Sequence, residues 1–394
     1  MTRLLGLCLL ALLTLAAPPP AGAADPVKVG ILVTTTGPYA VWGKEYQQGV
    51  GLYLDQHNGK DGNPTVEVLY RDVGGDNPPR ARQLAQELIV RDQVVAMGGL
   101  EFTTTVLAVA DIMNEAKMPF VIFNSATSFV TDKSPYFIRD SFTQWMTASI
   151  GARWALDQKM SKAAIVIADY APGQDSVDAF STTFKAGGGT ILDVIKVPLN
   201  TTDFSSYLQR AKDAAPQCLY MFMPLGPMSL GMHKGFAERG LRAAGIQSIS
   251  AAELPEFDLP AVGDGAIGAV TVLHYGPYLD NPANKAFRTA IQGKYGADAL
   301  PSFATVAAYD GMELIFHMLK ATGGKLDGDK ALAAAKGYAW QSPRGPVSID
   351  PKTREIVENI YVRKVEKVDG KLINKEFATY PAVKDPWHEL HPPK

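Results

Sequence analysis

Short apolar runs alternate along this chain with segments of helical periodicity, and that alternation limits the fold more than any other feature. Val27–Val33 (VKVGILV) is rich in β-branched residues and stops at Thr34-Thr35-Thr36-Gly37-Pro38, so it reads as a buried strand entering a loop. Tyr46, Val50, Tyr53 and Leu54 then recur at helical spacing up to the Asn58-Gly59 stop. Residues 66–70, 94–98 and 120–123 repeat the strand signature, and 80–91 and Thr103–Ala116 the helical one. Strands separated by helices pair in parallel and bury both faces, which predicts an α/β fold.

The pattern restarts after residue 143. Helices are expected over 147–156, 175–186, 204–214 and 228–239, with strands over Lys162–Ala168, 191–197, 219–223 and 247–250. Residues 270–275 read as a crossing strand, 284–295 and 306–322 as late helices, and 347–365 as a β meander. Two such halves with extra elements at the end suggest two lobes that share strands across a hinge.

The opening MTRLLGLCLLALLTLAAPPPAGAA has the organisation of an export signal over residues 1–24: Arg3, an uncharged apolar run, a proline break and Ala21-Gly22-Ala23. The run is too short to span a bilayer core of about 30 Å. The mature chain is therefore expected outside the cytoplasm, away from nucleotide cofactors. A formal charge of −2 without a run of basic residues argues against nucleic acid or anionic lipid as partners. Of two cysteines, only Cys218 would remain after cleavage, so it is expected to be a buried free thiol.

Motifs for chemistry are absent or broken. There is no GxGxxG after a strand and no GxxxxGK[ST]. Gly226-Pro227-Met228-Ser229-Leu230-Gly231 has one residue too many for a nucleophile turn, and His388-Glu389-Leu390-His391 one too few for HExxH, so the latter reads as a solvated tail. Asn200-Thr201-Thr202 fits a glycosylation sequon, but Thr202-Asp203 reads first as a helix cap. No catalytic residue, cofactor or metal is expected. What the chain does carry is hydroxyls, amides and aromatics in four loops after strands, at 34–42, 100–105, 124–129 and 169–174, where open parallel sheets bind ligands. Thr103, Thr104 and Thr127 either cap helices or hold a carboxylate at a helix start; composition leaves both open.

These loops resemble the periplasmic solute-binding proteins of ABC importers, in the branched-chain amino-acid class. VKVGILVTTTGPYAVWGKEYQQGV resembles the family's first strand and loop, and GGLEFTTTVLAVADIMNEAKMPFVIFNSATS its second signature. IADYAPGQD, NTTDFSSYL and SFATVAAYDGMEL follow in the family's order, the last with Gly311 where alanine is usual. The resemblance implies two Rossmann-like lobes with parallel sheets, the first from 25–142 and 276–345, the second from 143–275 and 346–394. It implies three passages between them near 139–143, 273–277 and 341–349, and lobes that close over one small solute in the periplasm. It implies no catalysis, an inner-membrane ABC permease as partner, and a monomer. It places the ligand among Tyr39, Trp42, Glu101, Phe102, Thr103, Ala126, Thr127 and Tyr170. Thr103, Ala126 and Thr127 match the positions that meet a ligand carboxylate.

Two departures bear on the ligand. Amino-acid binders carry an acidic residue shortly after the hinge arginine; here Arg139 is followed by Gln144 and Trp145. A second acidic position falls on Ala252, with Glu253 one residue off. A buried ammonium lacking a carboxylate is costly. An aromatic acid without an α-ammonium is thus expected, packed on Phe102, Trp145 and Tyr170, with an amino acid paired to Glu253 as the alternative. An enzyme or a receptor sensor on the same fold is the remaining class. Arg139, at a strand end, reads as a structural ion-pair residue rather than a carboxylate clamp.

Overall fold

The computed structural model describes residues 25–251 and 254–392. The leader at 1–24 and the expectations for Ala252 and Glu253 lie outside the described residues. The first half contains β1 (Val27–Val33), α1 (Val41–His57), β2 (Val66–Asp72), α2 (Pro78–Val90), β3 (Ala96–Gly99), α3 (Thr103–Ala116), β4 (Phe120–Ile122) and β5 (Phe137–Arg139). Then come α4 (Gln144–Asp157), β6 (Lys162–Ala168), α5 (Ala171–Ala186), β7 (Thr190–Val197), α6 (Ser205–Asp213), β8 (Cys218–Phe222), α7 (Pro227–Glu238), β9 (Gln247–Ala251), α8 (Leu259–Val262) and β10 (Val270–Leu273). The chain ends with α9 (Pro282–Tyr295), α10 (Phe303–Thr322), α11 (Gly328–Ala335), β11 (Ala339–Ser342), β12 (Gly345–Ile349), β13 (Ile356–Val368), β14 (Lys371–Val383) and α12 (Pro386–Leu390).

Among the described residues the strands form two sheets. One has five parallel strands in the order β2-β1-β3-β4-β5. The other runs β11-β12-β13-β10-β9-β8-β6-β7, parallel from β10 to β7, with β14 paired to β13 as a long antiparallel hairpin. Both core sheets are buried on both faces, and strand alternation shows why. Val29, Ile31 and Val33 of β1 point into one core while Leu32 points into another. Ala163, Ile165 and Ile167 of β6 likewise face α4 and α5, while Ala164, Val166 and Ala168 face α6 and α7. Each fully buried Val or Ile contributes about 1.5–3 kcal/mol. Cys218 sits in the second core as a buried free thiol, its pKa pushed up to about 12 by burial.

Three passages join the lobes. Residues 140–143 lead from β5 to α4, and 274–281 lead from β10 to α9. The third, expected near 341–349, runs through β12 and β13, which pair antiparallel. Ile349 of β12 still belongs to the first core, and β13 reaches the second through Ile360 and Val362. Two fully buried arginines brace these passages. Arg344 donates to Asp310 Oδ2 (2.8 Å), Glu358 Oε2 (3.0 Å) and the Asp140 carbonyl (2.6 Å). Arg139 makes a bidentate pair with Glu355, both bonds 2.7 Å, the structural role expected for it. Gly311 has a packing reason: a Cβ there would lie 2.2 Å from the Phe123 ring.

Candidate functional site

The carboxyl ends of the two parallel sheets face each other, and a small cleft lies where they meet. Its wall is Trp42 after β1, Glu101 and Phe102 after β3, Asn124 and Ala126 after β4, Phe142 and Gln144 in the first passage, Tyr170 and Pro172 after β6, and Phe222 and Pro224 after β8. The space they leave is ≈ 10 Å³, about the room of one water, so a ring enters only when the lobes part.

Sharp backbone turns place the wall residues. Gly99 has φ 105°, and a Cβ there would lie 2.1 Å from the Leu32 carbonyl, so no side chain is tolerated as β3 ends. Leu100 (φ 59°) and Ser125 (φ 66°) follow in the left-handed region, a strain that tends to persist at ligand sites. Four helices begin at or beside the cleft: α1 at Val41, α3 at Thr103, α4 at Gln144 and α5 at Ala171. Their N-terminal dipoles make the cleft favourable for negative charge.

The lobes are closed over it. Ser128 N–H in the first lobe donates to Asp175 Oδ2 on α5 at 2.8 Å. Burial raises the Asp175 carboxyl to about 7 against that bond. The Gln144 N–H donates to the Ala126 carbonyl at 2.9 Å. Tyr39 packs edge-on against Phe102 (5.1 Å) and lies across from Gly226, while Tyr170 stacks on Phe222 (5.9 Å).

Polar atoms on this wall stand buried without partners: Trp42 Nε1, Gln144 Nε2, Asn124 Oδ1 and both carboxylate oxygens of Glu101. Leaving such groups unpaired costs about 1–3 kcal/mol each, which a bound ligand would relieve. Their orientations are fixed from behind. Ser176 donates to Gln144 Oε1 at 3.0 Å, which turns the amide N–H groups away as free donors. Asn124 Nδ2 reaches the Glu101 carbonyl at 3.5 Å, which leaves its oxygen as a free acceptor. Burial raises the Glu101 carboxyl to about 8, with Thr34 opposing, so it is mainly protonated at neutral pH.

The expected site residues divide. Trp42, Glu101, Phe102, Ala126, Gln144 and Tyr170 meet on the wall, and Tyr39 supports Phe102. Thr103 and Thr127 come together but bond each other (2.9 Å), with Ser125 donating to Thr103 at 3.2 Å. They lie behind the wall instead of on it. Trp145 belongs to the second-lobe core with α4. Asn124, Phe142, Pro172, Phe222 and Pro224 are additions. Asn124 lay inside a loop singled out from sequence, whereas Phe142 and Phe222 look like ordinary core residues.

The solvated-tail reading of His388 is corrected. Residues 386–390 form α12, and His388 is 7% exposed, with Nε2 3.6 Å from Glu355. Burial opposes its protonation, but Glu355 and Asp385 prevail and raise its pKa. Glu355, Asp385 and His388 have a metal-like grouping, yet Glu355 already holds the Arg139 guanidinium, a cation where a metal would bind. The cap reading at Thr202-Asp203 is corrected: Phe204 is the N-cap residue of α6 and makes no side-chain cap bond, while Asp203 just before it accepts the Ser205 N–H at 2.8 Å. A larger groove, ≈ 420 Å³, runs between α9 and the β13–β14 hairpin, but it is more open and lies away from the strand ends.

Residues 26–371 match the model of a family described as periplasmic binding protein. The chain is 44% identical over 384 residues to the Leu/Ile/Val-binding protein homolog 6 of Brucella melitensis biotype 1, covering 97% of this chain and 98% of the relative. It is similar to the solute-binding protein of an ABC transporter from Rhodopseudomonas palustris HaA2, solved in complex with p-hydroxybenzoic acid. That match has a TM-score of 0.88 and 44% identity, over 92% of this chain and 98% of the other. A protein of the same kind from R. palustris BisB5, solved with 3,4-dihydroxybenzoic acid, gives a TM-score of 0.86 and 43% identity over 92% and 99%.

Proposed function

The chain belongs to the periplasmic binding protein family, and from that premise we propose that it captures one small aromatic acid between its lobes and delivers it to an inner-membrane ABC permease. The observation that carries this reading is the cleft's polarity. Its unpartnered donors, Trp42 Nε1 and Gln144 Nε2, come from different lobes and suit a carboxylate, as do the helix N-termini around them. The rest of the wall is ring surface: Phe102, Phe142, Tyr170 and Phe222. A charged amino acid would need an ionised carboxylate for its ammonium. Among the described residues Glu101 is the acid on this wall, and burial keeps it largely neutral. The aromatic acids bound by the Rhodopseudomonas proteins support the same choice over the amino acids named for the Brucella relative.

On this reading Tyr39, Trp42, Glu101, Phe102, Ala126, Gln144 and Tyr170 form or support the ligand site, with Thr103 and Thr127 bracing it from behind. The family and these relatives are binding proteins that serve transport, and we take this chain as a non-enzymatic monomer that works outside the cytoplasm. Among the described residues no helix is long and apolar enough to cross a membrane. Ligand contacts to both lobes would hold the closed form against the open one.

A thermal-shift panel tests the proposal. Ligand at 100 times its Kd adds about 2.7 kcal/mol of stability. Benzoate-type acids should raise the melting temperature while leucine, valine and glutamate leave it unchanged; the reverse pattern overturns the reading.

A further inference from the structure

Two acceptor groups on the cleft wall sit side by side and have no use for a carboxylate. Glu101 is 6% exposed and Asn124 7%, both line the cleft, and they are tied together by the Asn124 amide reaching the Glu101 carbonyl at 3.5 Å. That bond leaves Asn124 Oδ1 as an acceptor, and the Glu101 oxygens, with Thr34 nearby, lack a well-formed hydrogen bond within the protein. Facing an anion, these oxygens would repel it. Facing an apolar ring edge, they would stay buried and unpaired. A hydroxyl satisfies them, because it donates to one oxygen and accepts from a protonated carboxyl.

From this juxtaposition we infer that Glu101 and Asn124 form a hydroxyl subsite, so that the protein selects ring-hydroxylated aromatic acids over the unsubstituted acid. The inference rests on the aromatic-acid reading and adds a direction to the ligand. The carboxylate lies toward Trp42 and Gln144, and the ring hydroxyl toward Glu101 and Asn124. A site built to bond a hydroxyl discriminates strongly against an analogue lacking it, since the buried groups are then left unpaired.

The experiment is a calorimetric titration of the full mature chain with benzoate, 4-hydroxybenzoate, 3,4-dihydroxybenzoate and leucine, repeated with Glu101→Gln, Glu101→Leu and Asn124→Leu. The expected result is wild-type affinity for 4-hydroxybenzoate at least about tenfold above that for benzoate. The ratio should be retained in Glu101→Gln, whose amide still donates and accepts, and should fall below about threefold in Glu101→Leu and Asn124→Leu. The wild-type ratio is informative even if a variant does not fold. Equal wild-type affinities for benzoate and 4-hydroxybenzoate overturn the hydroxyl subsite while leaving the aromatic-acid reading intact. Binding of leucine but none of the three acids overturns that reading itself. Leucine binding that is abolished by Glu101→Gln would identify Glu101 as an ammonium partner and overturn the subsite as well.

Discussion

Two buried polar regions of this protein are built in opposite ways. At the passages between lobes, Arg344 and Arg139 find carboxylate partners within the chain, Asp310 and Glu358 for one and Glu355 for the other. In the cleft, Trp42, Gln144, Asn124 and Glu101 hold polar atoms that meet nothing. The first arrangement fixes geometry; the second stores an unmet demand that a ligand satisfies. Burial is nearly the same in both places, so burial alone does not separate structure from function. Partnering does.

The comparison is easiest to break at its strongest side. Arg344→Met strands Asp310 and Glu358 in the interior, and should lower the unfolding free energy by about 3–5 kcal/mol in urea titrations. Loss of less than 1 kcal/mol would mean that the network is not a brace. Trp42→Phe should weaken 4-hydroxybenzoate binding about tenfold in calorimetry, because a hydrogen bond to a charged group is worth about 1.5–3 kcal/mol. Unchanged affinity would remove Trp42 from the carboxylate end. Glu101→Met should have the opposite sign for stability: the unliganded protein should unfold at equal or higher urea, by up to about 1–2 kcal/mol, since an unpaired buried carboxyl is lost. Marked destabilisation would show that Glu101 has a structural partner.

A pH series gives a smaller but more specific effect. The Glu101 carboxyl is raised to about 8 by burial, so it is protonated below that pH and ionised above it. An anionic ligand prefers the protonated form, so affinity for 4-hydroxybenzoate should be level from pH 6 to 7.5. It should then fall by at most tenfold per unit as pH rises past about 8, with the fall absent in Glu101→Gln. Affinity that rises through this range would indicate a cationic ligand group. For the unliganded chain, the raised carboxyl works against the folded state. Its contribution to stability therefore falls between the unfolded value, near 4.5, and about 8. Asp175→Asn should matter least, within about threefold in affinity, because the amide oxygen still accepts from Ser128 N–H.

Much of the fold can be read from the sequence because its strands and helices carry strong periods. β1, β6 and α3 are apolar or patterned enough to define themselves, and the family likeness adds their order. β5 with three residues and β11 with four escape because they are too short for any period to register, and β14 with thirteen and α11 with eight also lie outside the expected ranges. α12 escapes because two histidines beside prolines look like tail, while burial of His388 depends on Glu355, far away in sequence. Within the site, loops 34–42, 100–105, 124–129 and 169–174 each supply at least one wall residue. What sequence could not reveal is direction. The left-handed turns at Leu100 and Ser125 decide that Glu101, Phe102 and Asn124 line the cleft, whereas the Thr103 and Thr127 hydroxyls turn to each other. Phe222 ends an apolar strand, and nothing in that run distinguishes a ligand wall from a core.

The central claim is that the unpartnered atoms await an acid without an amine. Isothermal titration of the purified mature chain with 4-hydroxybenzoate and, separately, with leucine tests it most directly. The account predicts saturable binding of one 4-hydroxybenzoate per chain and no heat from leucine at millimolar concentration. Tight leucine binding with 4-hydroxybenzoate silent would contradict it.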